Sequence, residues 1–80
     1  MRKLTLYGRP GCHLCEDAAL ELTPIIRGRA SLEIVDVEGS ADLERAYGLR
    51  IPVLVGGGTE LSAHPLDVAA VEAFLASAHG

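Results

Sequence analysis

The chain's two cysteines, Cys12 and Cys15, are separated only by His13 and Leu14. They fall where a short β-patterned run gives way to an amphipathic one, so the pattern places a dithiol at a strand-to-helix corner. On a starting helix the second sulfur lies about one turn beyond the first, within reach of a mixed disulfide formed by its partner. That arrangement suits thiol–disulfide exchange, with Cys12 attacking and Cys15 resolving. First-turn N–H groups and the positive end of the helix dipole favour a thiolate at Cys12, lowering its pKa from the free value of about 8.5. Arg9 and His13 add positive potential if their side chains face the sulfur, whereas Glu16 and Asp17 act in the opposite sense near Cys15. His13 reads either as a tuner of the thiolate, titrating near neutrality, or as a solvent-facing first-turn residue.

A CxxC is also half of a zinc site. Closing it requires two further ligands from His13, His64, His79 or a second subunit, and these histidines are adjacent to Cys12 or far along the chain. A four-ligand site within one chain is therefore not expected. Metal or iron–sulfur handling across a dimer stands as a second reading, and a partner-binding domain with an idle dithiol as a third.

The elements that must hold this corner are legible from periodicity. Lys3 to Tyr7 alternates, with Leu4 and Leu6 on one face, and reads as a strand that Gly8-Arg9-Pro10-Gly11 breaks. Leu14, Cys15, Ala18, Ala19, Leu22, Ile25 and Ile26 recur at helical spacing, predicting a helix from Cys12 to Arg27 that stops at Gly28 and bends at Pro24. Ser31 to Val37 is a second strand, and a helix between two strands implies a parallel βαβ unit. Ser40 caps a short helix from Ala41 to Tyr47, with Leu43 and Tyr47 facing the sheet and Gly48 ending it. Val53 to Val55 and Thr59 to Leu61 form a hairpin around Gly56-Gly57-Gly58, a glycine run that reads as a turn because no lysine–serine pair follows to make a phosphate cradle. His64-Pro65 introduces a last helix from Leu66 to Ser77 with Val68, Val71, Phe74 and Leu75 inward.

Eighty residues make one small domain, residues 1–80. Seven Lys+Arg against 11 Asp+Glu give a formal charge of -4 without a basic stripe, which argues against nucleic-acid binding. No apolar run nears the roughly 18 residues of a membrane span. The opening Met1 to Tyr7 is too short for a secretory signal before Gly8 and Pro10 interrupt it, so a cytoplasmic setting is expected. There a CxxC is more often catalytic or metal-binding than a permanent staple. Aromatic residues are 4% of the chain, namely Tyr7, Tyr47 and Phe74, so Leu, Ile, Val and Ala must build the core.

The element order, together with Leu6-Tyr7-Gly8-Arg9-Pro10-Gly11-Cys12-His13-Leu14-Cys15 and Gly48-Leu49-Arg50-Ile51-Pro52-Val53-Leu54, resembles the glutaredoxin-like branch of the thioredoxin superfamily. The likeness is greatest to its small bacterial members with a Cys-His-Leu-Cys site and covers nearly the whole chain. It implies an α/β thioredoxin-like βαβ-α-ββα fold, a four-stranded mixed sheet flanked by three helices. It also implies that Cys12 is the nucleophile, that Cys15 resolves it through a redox-active Cys12–Cys15 disulfide, and that Pro52 follows a cis peptide bond beside the dithiol. The Ile51 backbone would then pair with an extended substrate segment by strand addition. Arg50 either positions an acidic thiol substrate or keeps that loop solvated. Asp67 either contacts substrate or simply opens the last helix. The chain departs from glutathione-using relatives at His13, where many carry proline, and in lacking paired glycines ahead of Asp67. General exchange on a disulfide-containing protein or small thiol is therefore expected, by a monomer without bound cofactor. Glutathione or a dithiol reductase would be the external electron donor.

Overall fold

The structure, a computed structural model, describes residues 2–77. In chain order it contains β1 (Arg2–Gly8), α1 (His13–Ile26), β2 (Ala30–Asp36), a 3-10 turn (Val37–Gly39), α2 (Ala41–Tyr47), β3 (Val53–Gly56), β4 (Thr59–Ser62) and α3 (Val68–Ala76). The strands form one sheet in the order β2-β1-β3-β4. β1 runs parallel to β2 and antiparallel to β3, which is antiparallel to β4. This is the mixed four-stranded sheet with three α-helices that the sequence implies.

Alternation along β1 buries Leu4, Leu6 and Gly8 on one face. Helical spacing along α1 buries Cys15, Ala18, Leu22 and Ile26 on one stripe. Leu4, Leu6, Ala18, Leu22 and Ile26 meet Leu54 and Val71 in the core cluster. Cys15 is thus the first residue of the stripe that docks α1, and its position is tied to the packing of the whole helix. Pro24 lies inside α1, which continues to Ile26 before Arg27 caps it and Gly28 turns at φ +75°.

α2 matches its expected span, with the Ser40 hydroxyl accepting from Leu43 N–H at 3.4 Å. None of its residues is buried. Tyr47 instead stacks on Tyr7 of β1 with ring centroids 4.3 Å apart. The hairpin turns at Gly57 and Gly58, both at positive φ, as a two-residue type I′ connection requires.

Most boundaries lie within one residue of expectation, and two of the differences have a clear local cause. α3 begins at Val68, not Leu66, because Asp67 supplies the cap: its carboxylate accepts from Ala70 N–H at 3.0 Å. The Ser62 hydroxyl in turn accepts from Asp67 N–H at 2.8 Å, holding the His64–Pro65 segment, whose peptide bond is cis, outside the helix. The second strand ends at Asp36, since its side chain accepts from Glu38 N–H at 2.8 Å and closes the unforeseen 3-10 turn.

Candidate functional site

The end of β1 and the start of α1 build the dithiol corner. Cys12 is the N-cap of α1, with φ -84° and ψ 106°, and its sulfur accepts from Cys15 N–H at 3.2 Å. Its own N–H donates to Arg9 O at 3.3 Å, and its carbonyl accepts from Glu16 N–H at 3.0 Å. Cys12 is half-buried, whereas Cys15 is 8% exposed. The two are joined as a disulfide with Cα atoms 5.2 Å apart. Cys12 is therefore the more accessible residue of the pair and Cys15 the more enclosed. A groove of about 310 Å³ borders the corner, lined by Gly8, Pro10, Cys15, Ile34, Val35 and Asp36 among others.

Pro52 is buried and Ile51 half-buried, and the bond between them is cis. Tyr7 of β1 pairs with Val53 of β3. That register puts Pro52 at the end of the sheet where β1 leads into Cys12, so the two motifs far apart in sequence meet at one edge.

The charged candidates lie elsewhere than on the sulfur. Arg9 donates from Nη1 to Glu44 at 3.0 Å and from Nη2 to Gly48 O at 2.9 Å, and its Nη1 lies 3.5 Å from Glu38. Hydrogen bonding to Glu44 raises the Arg9 pKa above its ordinary value, and the same bond lowers that of Glu44. The guanidinium is committed to two carboxylates and a carbonyl, and none of these bonds reaches the Cys12 sulfur, so the condition for its tuning that thiolate is not met by direct contact. His13 is 94% exposed, with Nδ1 3.7 Å from Glu16. Arg50 pairs with Glu60 at 2.6 Å and donates to Ala46 O at 3.1 Å, and bonding to Glu60 raises its pKa. Asp67 caps α3 as described.

Glu44, Glu38 and Gly48 were not singled out by sequence reasoning as part of this site. Gly48 carried only a helix-stop signal, and the link from Arg9 to Glu44 spans 35 positions with no periodicity to reveal it. Gly8 carried only a strand-break signal, yet it packs directly on Cys15. Among the described residues no group of three or more His, Cys, Asp or Glu converges as a metal site, and no helix is long and apolar enough to cross a membrane. His79 lies outside the described residues.

Comparison with known proteins fits this geometry. Residues 3–76 match the family described as glutaredoxin-like domain (DUF836). The solution structure of protein Ne2328 from Nitrosomonas europaea is similar at TM-score 0.84 and 37% identity, over 91% of this chain and 89% of that one. The crystal structure of protein XcR50 from X. campestris is similar at TM-score 0.70 and 43% identity, over 94% of this chain and 97% of that one. A Trichomonas vaginalis thioredoxin shares the fold at TM-score 0.63 and 22% identity, over 94% and 77% of the two chains. No curated protein matches the sequence.

Proposed function

Since the chain belongs to the glutaredoxin-like domain (DUF836) family, we propose that it is a thiol–disulfide oxidoreductase working through Cys12 and Cys15. One observation carries the reading: the sulfur of half-buried Cys12 caps α1 and accepts the Cys15 N–H, with buried Cys15 paired to it across the first turn. In the reduced protein that same N–H and the helix dipole hold Cys12 as a thiolate.

The thiolate attacks one sulfur of a substrate disulfide, forming a mixed disulfide as the other substrate sulfur leaves as a thiolate. Cys15, on losing its proton, attacks Cys12 and expels the second substrate sulfur. The substrate has gained two electrons, and the protein holds a Cys12–Cys15 disulfide. An external thiol donor, glutathione or a dithiol reductase, returns it to the dithiol. The Ile51 backbone ahead of Pro52 is the docking edge for an extended substrate segment, so disulfide-bearing polypeptides are the favoured substrates. A cytoplasmic setting and a monomeric state belong to the same reading.

Alkylation of the reduced protein across pH, resolved by cysteine, tests it. Cys12 reacts well below pH 8 and much faster than Cys15, and Cys15→Ser accumulates the mixed disulfide that Cys12→Ser cannot form. Equal, slow labelling of both thiols would remove the catalytic role.

A further inference from the structure

We propose that Arg9 is a positioning residue, a strap that holds the Ile51–Pro52 segment in register with the dithiol loop. The inference rests on the exchange reading above and concerns how substrate is received at that site.

Arg9 belongs to both sides of the gap. Its carbonyl accepts the Cys12 N–H at 3.3 Å, so its backbone moves with the dithiol. Its guanidinium crosses to α2, bonding Glu44 and the Gly48 carbonyl, with Glu38 of the 3-10 turn alongside. Charge-assisted bonds of this kind fix direction as well as distance. α2 needs such a tie, because it buries no residue and is otherwise anchored by the Tyr7–Tyr47 stack.

Behind α2 the chain has little freedom before Pro52. Arg50 N–H donates to Tyr47 O at 2.8 Å, and the Arg50 side chain donates to Ala46 O at 3.1 Å, folding residues 48–50 onto the helix end. A shift of α2 is thereby passed to Ile51 and Pro52. Gly48 is shaped for the contact: a β-carbon there would stand 2.6 Å from Glu44 O and 3.2 Å from Arg9 Nη2. With Glu44 and Glu38 against the guanidinium, its field at Cys12 is largely offset. The residue therefore acts through geometry more than through charge.

The test compares Arg9→Met, Arg9→Lys and Glu44→Gln with the unmodified chain. Arg9→Met raises KM for a peptide disulfide roughly tenfold, short of the ~10²-fold that a misplacement of about 1 Å can reach. kcat stays close to its starting value, and so does the pH profile of Cys12 alkylation. Arg9→Lys recovers part of the affinity, and Glu44→Gln moves KM in the same direction by less. A small symmetrical disulfide, which makes no strand contacts, reacts as before. Amide hydrogen exchange supplies a readout independent of turnover: Gly48 and Arg50, whose N–H groups donate to Glu44 O and Tyr47 O, exchange faster in Arg9→Met while Leu4 and Leu6 stay protected. An upward shift of the Cys12 profile with unaltered KM and amides would show a direct charge effect and overturn the proposal, as would no change in any readout. If the unmodified chain exchanges no disulfide, the functional reading fails, and the amides alone still decide the strap.

Discussion

At Gly8 a β-carbon would stand 2.9 Å from the Cys15 sulfur and 3.0 Å from its Cβ, so the last residue of β1 makes room for the buried half of the dithiol. Gly8→Ala forces α1 outward or twists the Cys15 side chain, an overpacking expected to cost about 1–3 kcal/mol. Denaturant unfolding measures that loss. Rapid-quench alkylation measures the slower closure of the Cys12–Cys15 bond that accompanies it; unaltered closure would mean the corner yields without moving the sulfur. At the same scale the sequence is informative about the two cysteines and less so about the charges around them. Spacing alone places Cys12 at a helix start, because capping is local. It cannot place the end of a long side chain such as Arg9, whose partner is chosen by tertiary packing.

The three α-helices show where local signals suffice and where they compete. Ser40 and Gly48 bracket α2 as their types predict, and the Cys12-to-Gly28 span encloses α1 despite Pro24. For α3 two start signals conflict: Pro65 fits the first turn of a helix, while Asp67 offers a capping carboxylate. The carboxylate prevails, because the Ser62 hydroxyl takes the Asp67 N–H and leaves the Asp67 side chain free to bond Ala70. Asp67→Ala is thus expected to lower stability by about 1 kcal/mol with KM for a peptide disulfide unaltered. Urea melts and steady-state kinetics on one variant separate the cap from a substrate contact, since a substrate contact predicts the reverse pattern. The 3-10 turn after β2 had no periodic signal, being made by one Asp36 side chain over three residues.

Across the molecule, the βαβ unit and the hairpin account for the β1–β2 and β3–β4 pairings, so most elements of the fold were legible before the site was, whereas the β1–β3 pairing that joins the two halves had no local signal. The site's polar tie to α2 adds a pH dependence. Glu44 titrates below its ordinary value of 4.5 in the folded chain because Arg9 bonds its ionised form. A carboxylate lowered in this way stabilises the fold fully above its unfolded pKa, and that stabilisation disappears as pH falls through the lower folded value. Thermal melts from pH 6 down to 3 are expected to show a smaller acid-induced drop for Glu44→Gln than for the parent. The pair faces solvent, so added salt shrinks the difference.

β2 closes one side of the sheet with no strand beyond it among the described residues, and Ile34 on it is 63% exposed. Such a margin is a template on which further chains can stack into fibres. Glu33 and Asp36 flank exposed Ile34 and half-buried Val35. Two like copies laid edge to edge in antiparallel register about Ile34 and Val35 would set Glu33 of one against Asp36 of the other, a like-charge contact that discourages self-polymerisation.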